Sequence, residues 1–191
     1  MSLFGVEVPN GFFHRDDFIT SDEEARLAAE IERVQFSTFE MRGVAARRRV
    51  AFFGRSYDAG GGATPPLPAF LLPLRARVAE WAQLRPDDFV MALINQDPPG
   101  APIGWHRDAP QYGIVAGISL LSPCRMKFRP YVRPSARSSS GVRRIATHEV
   151  RLERRSAYLM TGDSRNAFEH HIPAIDTLRY SITFRTARPL H

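Results

Sequence analysis

A mainly β protein with flanking helices is the fold class that this chain predicts, and three observations predict it. From Asp88 onward the apolar residues fall in short runs separated by turn residues, the pattern of an all-β sandwich or jelly roll. Before that point, two stretches carry helical periodicity instead. Helices first and strands afterwards argue for a β core with helices packed on one side and against a βαβ array. With 191 residues, 43% of them hydrophobic, the chain is long enough to bury a self-sufficient core as one domain. Within it, residues 1–88 form an amino-terminal extension and residues 89–186 the strand-rich core.

The first helix is expected over Asp22–Gln35. Ser21 and Glu24 have capping-box spacing, and Leu27, Ala28, Ile31 and Val34 share one face. Arg42–Asp58 reads as extended, with Val50–Phe53 apolar and basic residues ahead of them, and Gly60–Gly62 mark a turn. A second helix presents Leu74, Val78 and Trp81 together, with Pro73 at its start or kinking it. Strands follow at Phe89–Ile94, Ile114–Leu121, Arg125–Phe128, His148–Leu152, Ala157–Thr161 and Leu178–Phe184, and Pro130–Gly141, with its three serines, reads as a mobile loop.

Composition narrows the function classes. The single cysteine, Cys124, excludes a disulfide-built scaffold, reads as a small buried hydrophobe, and fits a reducing, cytoplasmic compartment. No apolar run approaches the roughly 20 residues of a membrane helix, and Met1–Asn10 lack the features of a signal peptide. The net charge of +6 comes almost entirely from arginine, since Lys127 is the only lysine. Two readings stand: a bias of base composition, or a polyanionic partner met through clusters such as Arg47, Arg48 and Arg49.

His106 and Asp108 stand two apart, so in an extended segment an imidazole and a carboxylate face the same way. Such a pair alone also describes an ordinary surface. His170 and His171 supply a second histidine from a distant strand-rich region, completing two histidines and one carboxylate, the set that leaves open positions on iron; zinc accepts the same ligands. In Arg179–Arg185, alternation puts Arg179, Ser181, Thr183 and Arg185 on one face and Tyr180, Ile182 and Phe184 on the other. The polar face either meets water or lines the interior of a small barrel, where two buried arginines require anions that a dicarboxylate would supply.

Taken together, Leu93–Ala101, Gly104–Asp108, His170–Pro173 and Arg179–Arg185 resemble the AlkB family of Fe(II)- and 2-oxoglutarate-dependent dioxygenases, from about Phe89 to Arg185. The resemblance implies a double-stranded β-helix (jelly-roll) core. It implies His106, Asp108 and His170 as iron ligands, His170 being chosen over His171 by its distance from Ile172. It implies Arg179 on the far carboxylate of 2-oxoglutarate with Ser181 nearby, Arg185 near the chelating end, and Asn95 as a cosubstrate contact. The reaction implied joins O2 with 2-oxoglutarate, yields succinate and CO2, and hydroxylates or dealkylates a substrate, most often an N-alkylated base in DNA or RNA. A protein or small-molecule substrate, or a nucleic-acid-binding module without turnover, are the other readings. The strands within 42–58 then become candidates for a substrate lid, with Phe53 and Tyr57 as base contacts and Arg47, Arg48, Arg49 and Arg55 as phosphate contacts. Trp105, next to the metal histidine, is expected to point away from the iron. The chain departs from the family at Asp97, where the best-known members carry tyrosine, and at Pro110, where the DNA-repair type carries an acid. Asp97 would repel 2-oxoglutarate if it pointed inward.

Overall fold

The computed structural model describes residues 8–41, 44–55, 64–132 and 147–188, with the side chains of 39–41 and 44–46 left aside. The first strand, β1 (Phe12–Arg15), leads into α1 (Ser21–Glu32), which starts one residue earlier and ends three earlier than the pattern suggests. Its capping box is Thr20 with Glu23: Thr20 Oγ1 accepts from the Glu23 N–H and Glu23 Oε2 from the Thr20 N–H. Thr20/Glu23 and Ser21/Glu24 share the same spacing, and packing decides between them. Glu24 is buried, accepting from the Leu121 N–H at 2.8 Å and from Arg154 Nε at 3.0 Å, so it is committed to tertiary contacts.

Glu23 also accepts from Arg77 Nη1 at 2.9 Å, tying α1 to α2 (Leu72–Trp81). Chiefly the Arg77 hydrogen bond, and then the Thr20 N–H, lower the Glu23 pKa from 4.5 to about 2. A depressed carboxylate stabilises the fold above its unfolded pKa and ceases to do so as pH falls through the folded value. The Glu23 contribution is therefore full above about pH 4.5 and lost toward about pH 2. Both partners are partly solvated, so Glu23→Gln is expected to cost only about 1 kcal/mol at neutral pH and to flatten acid denaturation across that window. Urea titrations at several pH values measure both.

After β2 (Ser37–Met41) and β3 (Val44–Gly54), α2 begins with Pro73 in its first turn, as the sequence predicts. The remaining strands are β4 (Phe89–Asp97), β5 (Ile103–His106), β6 (Tyr112–Leu120), β7 (Cys124–Pro130), β8 (His148–Leu152), β9 (Ala157–Met160), β10 (Phe168–Ile172) and β11 (Arg179–Ala187), with α3 (Gly162–Asn166) after β9. Four of the short strands, β1, β2, β5 and β10, are not among the strands that the pattern predicts. The greater part of Pro130–Gly141 lies outside the described residues.

Two antiparallel sheets form a jelly roll. The larger has the order β1-β9-β6-β11-β4-β3-β2, the smaller β5-β10-β7-β8. One core fills the space between the large sheet and the two helices. Leu27, Ile31, Leu74 and Val78 from α1 and α2 meet Ile94, Ile118, Tyr180, Ile182 and Phe184 from the central strands. Complete burial of each such aliphatic side chain contributes about 1.5–3 kcal/mol. A second core, between the sheets, packs Phe12, Val115 and Met160 against Met126, Phe128, Val150 and Leu152, with Cys124 buried among them. The alternation in β11 thereby resolves: Tyr180, Ile182 and Phe184 face the helices, and the polar face of the strand looks into the space between the sheets.

Candidate active site

The open end of the space between the sheets holds a cavity of about 260 Å3. Strand pairing builds its histidine-bearing wall. His106 ends β5 directly opposite His170 of β10, so the two imidazoles project from one face of adjacent strands, with ring centroids 4.2 Å apart. His171 points the other way, stacks on Trp105 and bonds the Ile103 carbonyl through Nδ1 at 2.6 Å. Period-two alternation thus separates the histidine doublet, placing His170 in the cavity and His171 outside it. Trp105 is on that outer face as well, beneath the Arg129 guanidinium.

Asp108 follows β5 and turns inward with its side chain only 4% exposed. Arg185 of β11 donates to Asp108 Oδ1 from Nε at 3.0 Å and from Nη2 at 2.7 Å, and Asp108 Oδ2 lies 3.7 Å from His170 Nε2. Burial, the largest single influence, would raise the Asp108 carboxyl, but Arg185, His170, His106 and Arg165 together outweigh it and hold the group well below the usual carboxylate range. Burial lowers both imidazoles, that of His170 to about 3, so both are neutral at physiological pH. A third arginine, Arg165 of α3, is buried beneath the turn after Asp108, where it donates to the carbonyls of Ala109, Tyr112 and Gly113.

No group of three His, Cys, Asp or Glu side chains among the described residues is drawn together as a finished metal cage. The chemistry of the donors nevertheless fits a divalent transition metal. Both imidazoles are neutral, as ligation requires, and His106 Nδ1 lies 2.9 Å from the Gly104 carbonyl, a bond that leaves Nε2 as the donor atom. Asp108 is ionised, with one oxygen held by Arg185 and the other toward His170. His106, His170 and Asp108 would hold the metal.

At the other end of the cavity, register pairs Arg179 with Asp97 and Ser181 with Asn95 across β11 and β4. Asn95 Nδ2 contacts Ser181 Oγ at 3.2 Å. Arg179 is completely buried; it donates from Nη1 to Asp97 Oδ2 at 2.8 Å and from Nε to Ser119 Oγ at 3.1 Å. An arginine has five N–H donors, so these bonds leave others for a ligand carboxylate. Asp97 does point inward, as the family departure warned, but it faces an arginine. Tyr158 closes the floor: Gly117 is its cross-strand partner, and a Cβ there would lie 2.3 Å from the phenol ring, so glycine is what lets the ring cross the strand. Burial pushes the Tyr158 phenol up to about 12, keeping it protonated.

The substrate-side residues divide. Because Arg47, Arg48 and Arg49 are consecutive on β3, they cannot share a face. Arg48 is buried and lines the cavity, where burial lowers its pKa and the field of Asp97 supports its charge. Arg49 lies on the opposite face, donating to Gln96 and to the Phe36 carbonyl, and Arg47 is exposed near Gly100. The same alternation places Phe52 in the cavity wall and turns Phe53 toward the helix-side core, so the aromatic side chain facing the cavity is the neighbour of the one expected. Arg55 is exposed, its N–H bonded to the Val90 carbonyl, and Tyr57 lies outside the described residues. Pattern reading missed Arg48 as a cavity residue, Phe52, Tyr158 and Arg165. Sequence alternation puts Arg48 and Phe52 on one face of β3, but which face meets the cavity is decided only by the register that pairs Asn95 with Val50.

Comparison with known proteins agrees with this architecture. The family model described as the 2OG-Fe(II) oxygenase superfamily matches residues 26–185. A curated relative from Arabidopsis thaliana, named Alkylated DNA repair protein ALKBH8 homolog, is 26% identical over 93% of this chain, and the chain spans 56% of that relative's length. Among solved structures, the one titled "The structure of OsALKBH1" superposes with a TM-score of 0.67 at 16% identity, covering 94% of this chain and 98% of the other. A prolyl-4-hydroxylase from Pseudomonas putida superposes with a TM-score of 0.61 at 14% identity, covering 94% of each chain. By family match, the chain belongs to the 2OG-Fe(II) oxygenase superfamily, and among its members it is similar to AlkB-type proteins.

Proposed function

We propose that the protein oxidatively dealkylates N-alkylated bases in DNA or RNA. The observation that carries this reading is the cavity itself: the two-histidine, one-carboxylate set lies against a wall bearing Phe52 and Arg48, an aromatic face and a cation suited to a flat base and its phosphate. Arg107, whose guanidinium lies 3.6 Å from the centre of the Tyr131 ring, adds a second cation beside the cavity. The curated relative's name, an alkylated DNA repair protein, supports the same substrate class.

Fe(II), 2-oxoglutarate and O2 supply oxidation of the substrate C–H to C–OH, with succinate and CO2 as coproducts. Hydroxylated N-methyl carbon then leaves as formaldehyde, restoring the N–H of the base. His106, His170 and Asp108 hold the metal, while Arg185 fixes the orientation of Asp108. Arg179, Ser181 and Asn95 orient the far end of the cosubstrate, and Tyr158 and the apolar walls exclude water. Phe52 positions the base.

Formaldehyde release from methylated oligonucleotides, measured beside methylated peptides, tests the proposal. Phe52→Ala is expected to raise KM for the oligonucleotide about tenfold or more, the value of one stacking contact, whereas Phe53→Ala is expected to leave KM unchanged and cost about 2 kcal/mol of stability. Release from peptides alone would assign a protein substrate. Succinate without formaldehyde from either would point to a small molecule, and no turnover with intact nucleic-acid binding to a binding module.

A further inference from the structure

Buried polar groups generally satisfy one another; of the four described side-chain atoms that do not, His14 Nε2 and Arg75 Nε lie away from the cavity and two adjoin one end of it. Among the described residues, Asn95 Oδ1 and Asp97 Oδ1 are buried acceptors without a hydrogen-bond donor. They stand side by side on the inward face of β4, opposite Ser181 and Arg179. Asp97 is 3% exposed and Arg179 1%, so each is the other's counter-ion in a region that water does not screen. An incoming ligand carboxylate at Arg179 therefore meets a cation already neutralised, next to a second anion.

We propose that Asp97 is a cosubstrate-specificity residue: it shares Arg179 with the far end of the 2-oxo acid, weakens the preference for a terminal carboxylate, and admits a 2-oxo acid whose tail is a neutral hydrogen-bond donor. The inference rests on 2-oxoglutarate binding with its far end at Arg179. A primary amide in place of that carboxylate complements what is present. Its C=O accepts from Arg179, and its NH2 donates to the unmatched oxygens of Asp97 and Asn95. A carboxylate supplies no such donor and lies beside a like charge. Arg48 lies close enough for Asp97 to support its charge, which lessens the repulsion without supplying the missing donors.

The test is equilibrium binding to the Mn(II)-loaded protein, with 2-oxoglutarate and its 5-amide as probes and no turnover required. In the unmodified protein the two are expected to bind within about tenfold of each other, because Asp97 cancels most of the advantage of charge at Arg179. In Asp97→Asn, which keeps the size and one acceptor for Arg179, 2-oxoglutarate is expected to bind at least about tenfold tighter and the amide no tighter. Metal-free Asp97→Asn is expected to melt lower than the parent, since the buried Arg179 loses its counter-ion, and to gain more from saturating 2-oxoglutarate. A preference of the unmodified protein for 2-oxoglutarate above about 100-fold overturns the proposal, and does so without any variant. Equal or weaker 2-oxoglutarate binding by folded Asp97→Asn also overturns it. Failure of both probes to bind either Mn(II)-loaded protein would overturn the cosubstrate reading along with it, which separates the two failures.

Discussion

Asp108→Ala is expected to abolish metal binding and to destabilise the metal-free protein by about 3–5 kcal/mol, the cost of stranding one member of a buried ion pair. Both effects follow from the two oxygens of one side chain. Oδ2 faces His170 on the metal side, and Oδ1 accepts both hydrogen bonds from Arg185, which is itself nearly buried. For a chain of this length such a loss lowers Tm by about 6–20 °C. Asp108→Asn preserves volume and an acceptor for Arg185, so it should lose less stability while still weakening Fe(II) binding more than about 100-fold. The double variant Asp108→Ala with Arg185→Leu removes the stranded charge and should regain much of the stability without regaining the metal. Calorimetry with and without Fe(II) measures all four proteins. Fe(II) affinity within tenfold of the parent in Asp108→Asn would remove Asp108 from the ligand set.

The second large effect is expected at Arg165, which touches none of the proposed ligands' donor atoms. From α3 it donates to three carbonyls, those of Ala109, Tyr112 and Gly113, with distances of 2.7–3.0 Å, and so fixes the turn that leaves Asp108 and enters β6. Arg165→Met fills similar space but leaves those buried acceptors unmatched, at about 1–3 kcal/mol each. Stability is expected to fall by about 3 kcal/mol or more, and Fe(II) affinity of the protein that remains folded by about 10- to 100-fold. Arg165→Lys cannot reproduce the fork and should behave more like Met than like the parent. Unchanged Fe(II) affinity in a variant that has lost the stability would make Arg165 a structural residue only.

Much of the architecture is legible from pattern because two periods, 3.6 and 2, leave marks in hydrophobicity. Leu27 and Ile31 identify the apolar face of α1, and Tyr180, Ile182 and Phe184 identify that of β11, without any tertiary information. Boundaries are less legible. Thr20/Glu23 and Ser21/Glu24 are equivalent as capping pairs until Arg154 and the Leu121 N–H, far along the chain, claim Glu24. The iron-type ligand set is legible as spacing and resemblance, yet the orientation of its neighbours is not. Phe52 and Phe53 are equal in composition and adjacent in sequence, and only the register of β3 on β4 turns one to the cavity and the other to the helices.

By itself, then, the sequence determined the class of fold, the alternation within β11 and the residue types from which the site is assembled, because these depend on local period and chemistry. Whether the polar face of β11 met water or the interior was decided only when the smaller sheet covered it. The arginine surplus was divided in the same way. Arg179, Arg185, Arg48 and Arg165 became buried groups facing carboxylates, a cavity and carbonyls, while Arg47 stayed at the surface. The fate of Asp97 shows the reason most plainly: read along the chain it is an anion in the way of an anionic ligand, and only pairing of β4 with β11 sets it against Arg179. Charge and polarity are written residue by residue, but which charges neutralise one another depends on contacts between residues more than eighty positions apart.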